Sequence, residues 1–211
     1  VSKNATNTGR RAGLDRNDMV AAALALVEAD GVGALTMRRL AAELDVTTNT
    51  IYWHVGSRDE LILEIIRSHS RQIAELPIEG TTAQERVFSA ARHIWESSMA
   101  SRSVTSLAHQ TGTAAEHLHP LEVVLAQELE AAGLRGEELA RAQRSIQVTV
   151  GGFLLNALRS DASREGDARG AAWTDEDNGL TPETVDALAQ SPDYDALLAD
   201  TLRAIIAPHV G

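Results

Sequence analysis

Residues Thr47 to Val55 (TTNTIYWHV) set hydroxyl, amide and aromatic side chains around two apolar residues four apart, Ile51 and Val55. On a helix, residues four apart share a face. Ile51 and Val55 therefore turn inward, and Thr48, Asn49, Thr50, Trp53 and His54 turn mostly outward. Asn and Thr can hydrogen-bond base edges, and a Thr methyl or an aromatic ring can touch a thymine methyl, so this surface suits a nucleic-acid groove. Just beyond it, Ser57 and Glu60 form a capping box that opens another helix. Arg58 lies in its first turn, where a phosphate could sit against free backbone N–H groups.

These side chains need a scaffold. A short helix is predicted to open at Thr36, whose hydroxyl can cap it, with Met37, Leu40, Ala41 and Leu44 on one face. Asp45 follows at a turn that needs a left-handed backbone, which Asp adopts more cheaply than most residues. Thr47 or Thr48 can cap the helix carrying the outward polar face. Upstream, residues 15–30 read as a helix with Met19, Val20, Ala23, Leu24 and Val27 in a stripe, ended by Gly31 and Gly33. The three helices make a small domain with a helix-turn-helix at its end.

Leu35-Thr36, Arg38-Arg39-Leu40-Ala41, Leu44, Val46, Thr50, the run Tyr52-Trp53-His54-Val55 and Arg58 resemble the DNA-binding domain of the tetracycline-repressor (TetR) family of transcriptional regulators. The YWHV run is close to the tetracycline repressor's own branch, and the motif covers about residues 16–65. Asp45 departs from it mildly, since many helix-turn-helix sequences have Gly there. The resemblance implies an all-α fold, with a helix-turn-helix domain at 14–58 and a helical ligand-binding and dimerisation domain at 59–211. It implies a homodimeric repressor that reads a palindromic operator in double-stranded DNA and is released by a small-molecule effector, with no other cofactor and no enzymatic activity. Carried over position by position, Thr36, Tyr52, His54 and Arg58 would hold phosphate, whereas Arg38, Asn49, Thr50 and Trp53 would reach bases. Thr48 and Asn49 occupy variable positions and would help to choose the sequence. The helix predicted over 57–76, with Leu61, Ile62, Ile65, Ile66 and Ile73 apolar, would pass ligand-induced movement to the DNA-binding domain.

Composition agrees with a globular chain. Of 211 residues, 44% are hydrophobic and 23% charged, which excludes disorder by composition. No apolar run approaches the roughly 20 residues needed to span a bilayer. The polar, basic start has no hydrophobic segment behind it and so does not read as a signal peptide, and cysteine is absent; a cytoplasmic location is expected. The net charge of -11 is unevenly spread: residues 1–58 hold seven Lys/Arg and six Asp/Glu, residues 59–211 twelve and twenty-four. Phosphate attraction must therefore come from local placement of Arg10, Arg11, Arg16, Arg38, Arg39 and Arg58 and from helix N-termini. Residues 1–13 read as a flexible basic tail, in which Arg10 and Arg11 are either a DNA-following arm or solvated.

The acidic part reads as helices over 82–101, 103–109, 120–132, 136–160, 181–189 and 193–207, with a flexible loop over about 161–179. Pro120 suits the first turn of its helix. Residues 146–158 are apolar on nearly every side, which predicts burial on more than one face, with Gly151 and Gly152 permitting close packing. That helix and the last one are the expected dimer interface. Trp95, Met99, His109, Phe153 and Asn156 are the candidate ligand contacts, combining apolar walls with a few polar groups. Trp173 in the loop is either a cover over a pocket or partner subunit, or a loosely packed anchor. His109, His117 and His119 offer metal-ligand chemistry, but the HLH spacing is not the i, i+4 of a helical metal pair, and no metal is assigned.

Two other classes of function remain. One is a small-molecule-binding or interaction protein whose helix-turn-helix no longer binds DNA; the intact outward face of the recognition helix argues against it. The other is a metal-dependent helical enzyme, for which the sequence offers no HExxH, GxSxG or phosphate-loop motif.

Overall fold

A computed structural model describes residues 15–160, 173 and 179–210, and among them there are helices and no strands. The arm at Arg10 and Arg11 and most of the 161–179 segment lie outside the described residues. The α-helices are α1 (Arg16–Asp30), α2 (Met37–Glu43), α3 (Thr48–Val55), α4 (Arg58–Ala74), α5 (Ala83–Ala100), α6 (Arg102–Gln110), α7 (Ala114–Ala131), α8 (Gly136–Ser160), α9 (Pro182–Ala189) and α10 (Tyr194–Ile206). A short 3-10 turn (Val32–Ala34) links α1 to α2.

The chain forms two compact units, one of residues 1–76 and 97–121 and the other of 77–96 and 122–211. The first unit thus extends past the 14–58 head expected from the motif. The reason lies in its core. Met19, Val27, Leu40 and Ile51 of α1 to α3 are buried in one cluster with Leu61, Ile62, Ile65 and Ile66 of α4 and with Val104, Leu107 and Ala108 of α6. The head is sealed by helices from further along the chain.

Side-chain caps set the helix ends, including one at α1 that the sequence analysis does not identify. Asp15 and Asp18 make a capping box at α1, and Gly31 closes that helix with φ 78°. Leu26, outside the predicted stripe, is buried and Leu24 only half-buried, so the inward face is rotated slightly from the one expected. At the α2–α3 turn, Asp45 has φ 52°, the one positive φ outside glycine among the described residues. Exchanging Asp45 for a β-branched residue should therefore be costly. Asp45→Val is expected to lower stability by about 1–2 kcal/mol, read as a shifted urea midpoint, whereas Asp45→Gly should be tolerated.

In the second unit α8 and α10 pack along each other, with Ile146, Val150 and Leu154 of α8 and Leu198, Leu202 and Ile206 of α10 buried. Arg86 of α5 grips Glu128 of α7 through two hydrogen bonds of 2.8 and 2.6 Å. Among the described residues, the predicted burial of α8 on several faces is not met. Val148 is 75% exposed and Leu155 45% exposed, and a Cβ added at Gly151 or Gly152 would find no atom within 4 Å. The helix predicted to begin at Pro120 begins six residues earlier, at Ala114. The His117 N–H already donates to the Thr113 carbonyl, so Pro120 lies inside α7 and withholds one donor from its ladder.

Candidate nucleic-acid interface

The nine candidate DNA contacts all fall on α2 and its N-cap, α3 and the start of α4 in the first unit. Thr47, rather than Thr48, caps α3. Its hydroxyl accepts from the Thr50 N–H at 3.2 Å and lies 2.9 Å from the Thr50 hydroxyl. Ile51 and Val55 are buried, so the rest of the helix faces out: Asn49 and Tyr52 are exposed, and Trp53 is 81% exposed. Thr48, Thr50 and His54 are partly exposed. The Trp53 and His54 rings meet edge to face with centroids 4.6 Å apart. An indole left this bare has no packing duty within the chain, and its π-face and N–H are free for a groove.

On α2, the Thr36 oxygen is engaged as a cap, accepting from the Arg39 N–H at 3.1 Å, so only its O–H remains to reach a phosphate. Arg38 is exposed, whereas Arg39 pairs with Asp30 of α1. Arg58 does more than wait for phosphate. Its Nε donates to the Leu35 carbonyl at 3.0 Å, tying the first turn of α4 to the entry of α2 and leaving its terminal nitrogens for other acceptors.

The Ser57–Glu60 capping box forms, and it modifies the expectation for phosphate at the α4 N-terminus. Glu60 accepts from the Ser57 N–H at 2.6 Å while the Ser57 hydroxyl accepts from the Glu60 N–H at 3.2 Å. These bonds, the backbone one foremost, hold the Glu60 carboxyl below its ordinary pKa. A carboxylate therefore already occupies part of this helix end. Gly56 makes room for it: φ is 73°, and an added Cβ would lie 2.1 Å from the Glu60 carboxylate. That glycine's role was not read from the sequence; its signal is its place just after the last α3 residue and just before a capping Ser.

The five candidate ligand contacts are divided between the units. Trp95 and Phe153, both in the second, are engaged by neighbouring residues of α10: the Trp95 Nε1–H donates to Asp195 at 2.9 Å, and Phe153 meets Tyr194 edge to face at 6.3 Å. Asp195 also pairs with Arg92, which, ahead of the Trp95 bond, keeps its carboxyl below the ordinary range. Asn156 is exposed on α8 and its side chain donates back to the Gly152 carbonyl. Met99 and His109 belong to the first unit, Met99 half-buried and His109 exposed with Nδ1 2.9 Å from the Thr105 carbonyl. His117 is buried and His119 exposed, and among the described residues no three His, Asp or Glu gather where a metal ion could be held. Trp173 lines an open pocket with Leu188, Pro192 and Leu197.

Residues 19–65 match the model of the family described as bacterial regulatory proteins, tetR family. The class E tetracycline repressor protein of Escherichia coli is 35% identical over 70 residues, which are 31% of this chain and 33% of that protein. The chain thus spans a third of the length of that curated relative. Over the whole fold, apo ActR from Streptomyces coelicolor superposes with a TM-score of 0.71 at 26% identity, covering 93% of this chain and 95% of that one. ActR in complex with actinorhodin gives the same TM-score at 24% identity, over 93% and 96% of the two chains. Residues 19–65 thus carry a helix-turn-helix domain of the tetR-family type, and the chain as a whole shares the all-helical fold of ActR.

Proposed function

We propose that this protein is a homodimeric transcriptional repressor that reads a palindromic operator with α3 and leaves it when a small molecule binds. The observation that carries the reading is the division of α3, with Ile51 and Val55 buried and Asn49, Tyr52 and Trp53 bare. One recognition helix covers few base pairs, so two copies are needed, on half-sites about one turn or a multiple of it apart. In this arrangement Tyr52, His54, Thr36 and Arg58 hold phosphate, and Thr48, Asn49, Thr50, Arg38 and Trp53 address the bases. ActR's complex with actinorhodin supports a small-molecule effector here, and the helical unit carrying Trp95 and Phe153 is its candidate seat. The protein would act where the DNA is, in the cytoplasm, and no described helix is long and apolar enough to cross a membrane.

The dimer is assigned to α8 and α10, where Val148, Leu155 and Leu197 are exposed beside open backbone at Gly151 and Gly152. A charge there should be decisive. Val148→Glu is expected to turn the dimer into a monomer by sedimentation and to lower operator affinity at least tenfold, with helix content unchanged. A dimer that survives this change places the interface elsewhere.

The experiment for the whole reading is footprinting of the purified protein on DNA flanking its own gene, repeated at several salt concentrations. A protected palindrome, with affinity falling steeply as salt rises, supports the repressor. Absence of binding to any pooled genomic fragment would favour a ligand-binding module instead.

A further inference from the structure

Thr47 stands exposed at the head of α3, and its hydroxyl does more than cap the helix. It accepts from the Thr50 N–H at 3.2 Å and lies 2.9 Å from the Thr50 hydroxyl oxygen, so one proton is shared between the two oxygens. Two hydroxyls carry two protons, and the second points elsewhere. When Thr47 donates to Thr50, the Thr50 O–H is free to donate outward. When Thr50 donates to Thr47, Thr50 offers lone pairs alone. The same pair closes α9, where the Thr181 and Thr184 oxygens are 2.9 Å apart, so the geometry by itself is that of a cap. What differs on α3 is the place. Thr50 is half-exposed, three and four residues ahead of Trp53 and His54, and shares the outward face with them. The other caps of the head lack this coupling: Asp15 meets Asp18, Thr36 meets Arg39 and Ser57 meets Glu60, none of which brings a second hydroxyl.

We infer that Thr47 is a positioning residue for sequence choice: through the shared proton it sets whether Thr50 presents a donor or an acceptor to a base edge. The inference rests on the proposed reading of operator DNA by α3, in which Thr50 addresses a base. The major groove makes the choice count, because guanine N7 and O6, adenine N7 and thymine O4 accept, whereas cytosine N4 and adenine N6 donate. With a hydroxyl at position 47, both patterns are open to Thr50. A side chain there that only accepts would hold the Thr50 proton and restrict Thr50 to amino groups. Thr47 thereby acts on base choice through its neighbour.

The test uses the full-length protein and a set of duplexes carrying the footprinted palindrome with each half-site base pair varied in turn, titrated by fluorescence anisotropy. Thr50→Val first marks the base pair at which Thr50 discriminates. Thr47→Asp keeps the cap, since Asp is at least as good an N-cap as Thr, but can only accept. At the marked base pair Thr47→Asp should shift the preference about tenfold towards donating bases, beyond the even loss that its charge causes at every duplex. Thr47→Ser, which keeps the hydroxyl, should retain the wild-type preference. In the Thr50→Val background Thr47→Asp should leave the even loss alone, a coupling that a cap would not show. Three results would overturn the inference: no base pair marked by Thr50→Val, an even loss as the whole effect of Thr47→Asp, or the same shift in the Thr50→Val background. Each of these, with the wild-type protein bound to its operator, removes the inference and leaves the repressor standing. A wild-type protein that protects no operator removes both.

Discussion

Tyr52→Ala is expected to lower operator affinity about a hundredfold, roughly 2.7 kcal/mol, with sedimentation and melting temperature unchanged. The separation of these effects follows from where the ring lies. Tyr52 is 50% exposed and belongs to the bare side of α3, so its loss leaves no cavity in the core built on Ile51 and Val55. Tyr52→Phe should recover the contact area but not the phenolic hydrogen bond, and an intermediate affinity would assign Tyr52 to phosphate. In that role it carries no sequence information, and binding should weaken evenly across operator variants. Asn49→Ala should behave differently, costing about 1–3 kcal/mol at one base pair and relaxing specificity there. Arg58→Ala is a less clean probe. Its Nε bond to the Leu35 carbonyl means that removing the side chain also unties α4 from the entry of α2. Fluorescence anisotropy at fixed salt, with sedimentation for the dimer, decides among these, and unaltered binding by Tyr52→Ala would end the assignment of α3 as the reading helix.

The contrast between local and distant contacts explains what is legible in the sequence. In the head nearly everything is local: the caps at Asp15, Thr36, Thr47 and Ser57 act within three or four residues, as does the left-handed turn at Asp45. Short-range chemistry of this kind is written in residue type and spacing, so the helices of the head and the inward and outward side chains of α3 are legible directly. The long helices were legible for the same reason, α8 from Gly136 to Ser160 among them. What stayed hidden depends on pairs distant in the chain. Arg58 reaches Leu35, Trp95 reaches Asp195, and Ser70 reaches His117 47 residues on. None of these has a spacing rule, and the sequence offers His117 as a candidate metal ligand beside His119, which faces solvent instead. The start of α7 ahead of Pro120 has another cause. A proline is favoured at a first turn but is also tolerated inside a helix when packing outweighs one lost donor, and α7 buries His117, Leu121 and Leu125 around it. A polar residue at a core position of α4, Ser70 between Ile66 and Ile73, was the one available sign that a buried polar partner had to arrive from elsewhere.

That partner makes stability depend on pH in a definable window. Burial, followed by the charges that His69 and His109 would carry, pushes the His117 pKa down from 6.5 to about 4. The unfolded chain therefore binds a proton between those values where the folded chain refuses one, and stability rises with pH across that range. The contribution is fully present above about pH 6.5, is lost as the pH falls toward 4, and changes no further below it. Between pH 7 and pH 5 the loss should be about 2 kcal/mol from this group alone. His69 shifts in the same direction, through its own burial and against the opposing pull of Glu28, and adds to the loss. The acidic groups act elsewhere: Glu85, held near 2 by the Thr82 and Thr81 backbone and hydroxyl groups, contributes above its ordinary 4.5 and loses that contribution only as the pH falls through its folded value. Urea unfolding at pH 5, 6 and 7 can therefore isolate the histidines. His117→Gln, which keeps a polar side chain but cannot titrate, should flatten most of the slope. A slope that persists in His117→Gln would mean that the buried pair is not what the fold protects from protonation.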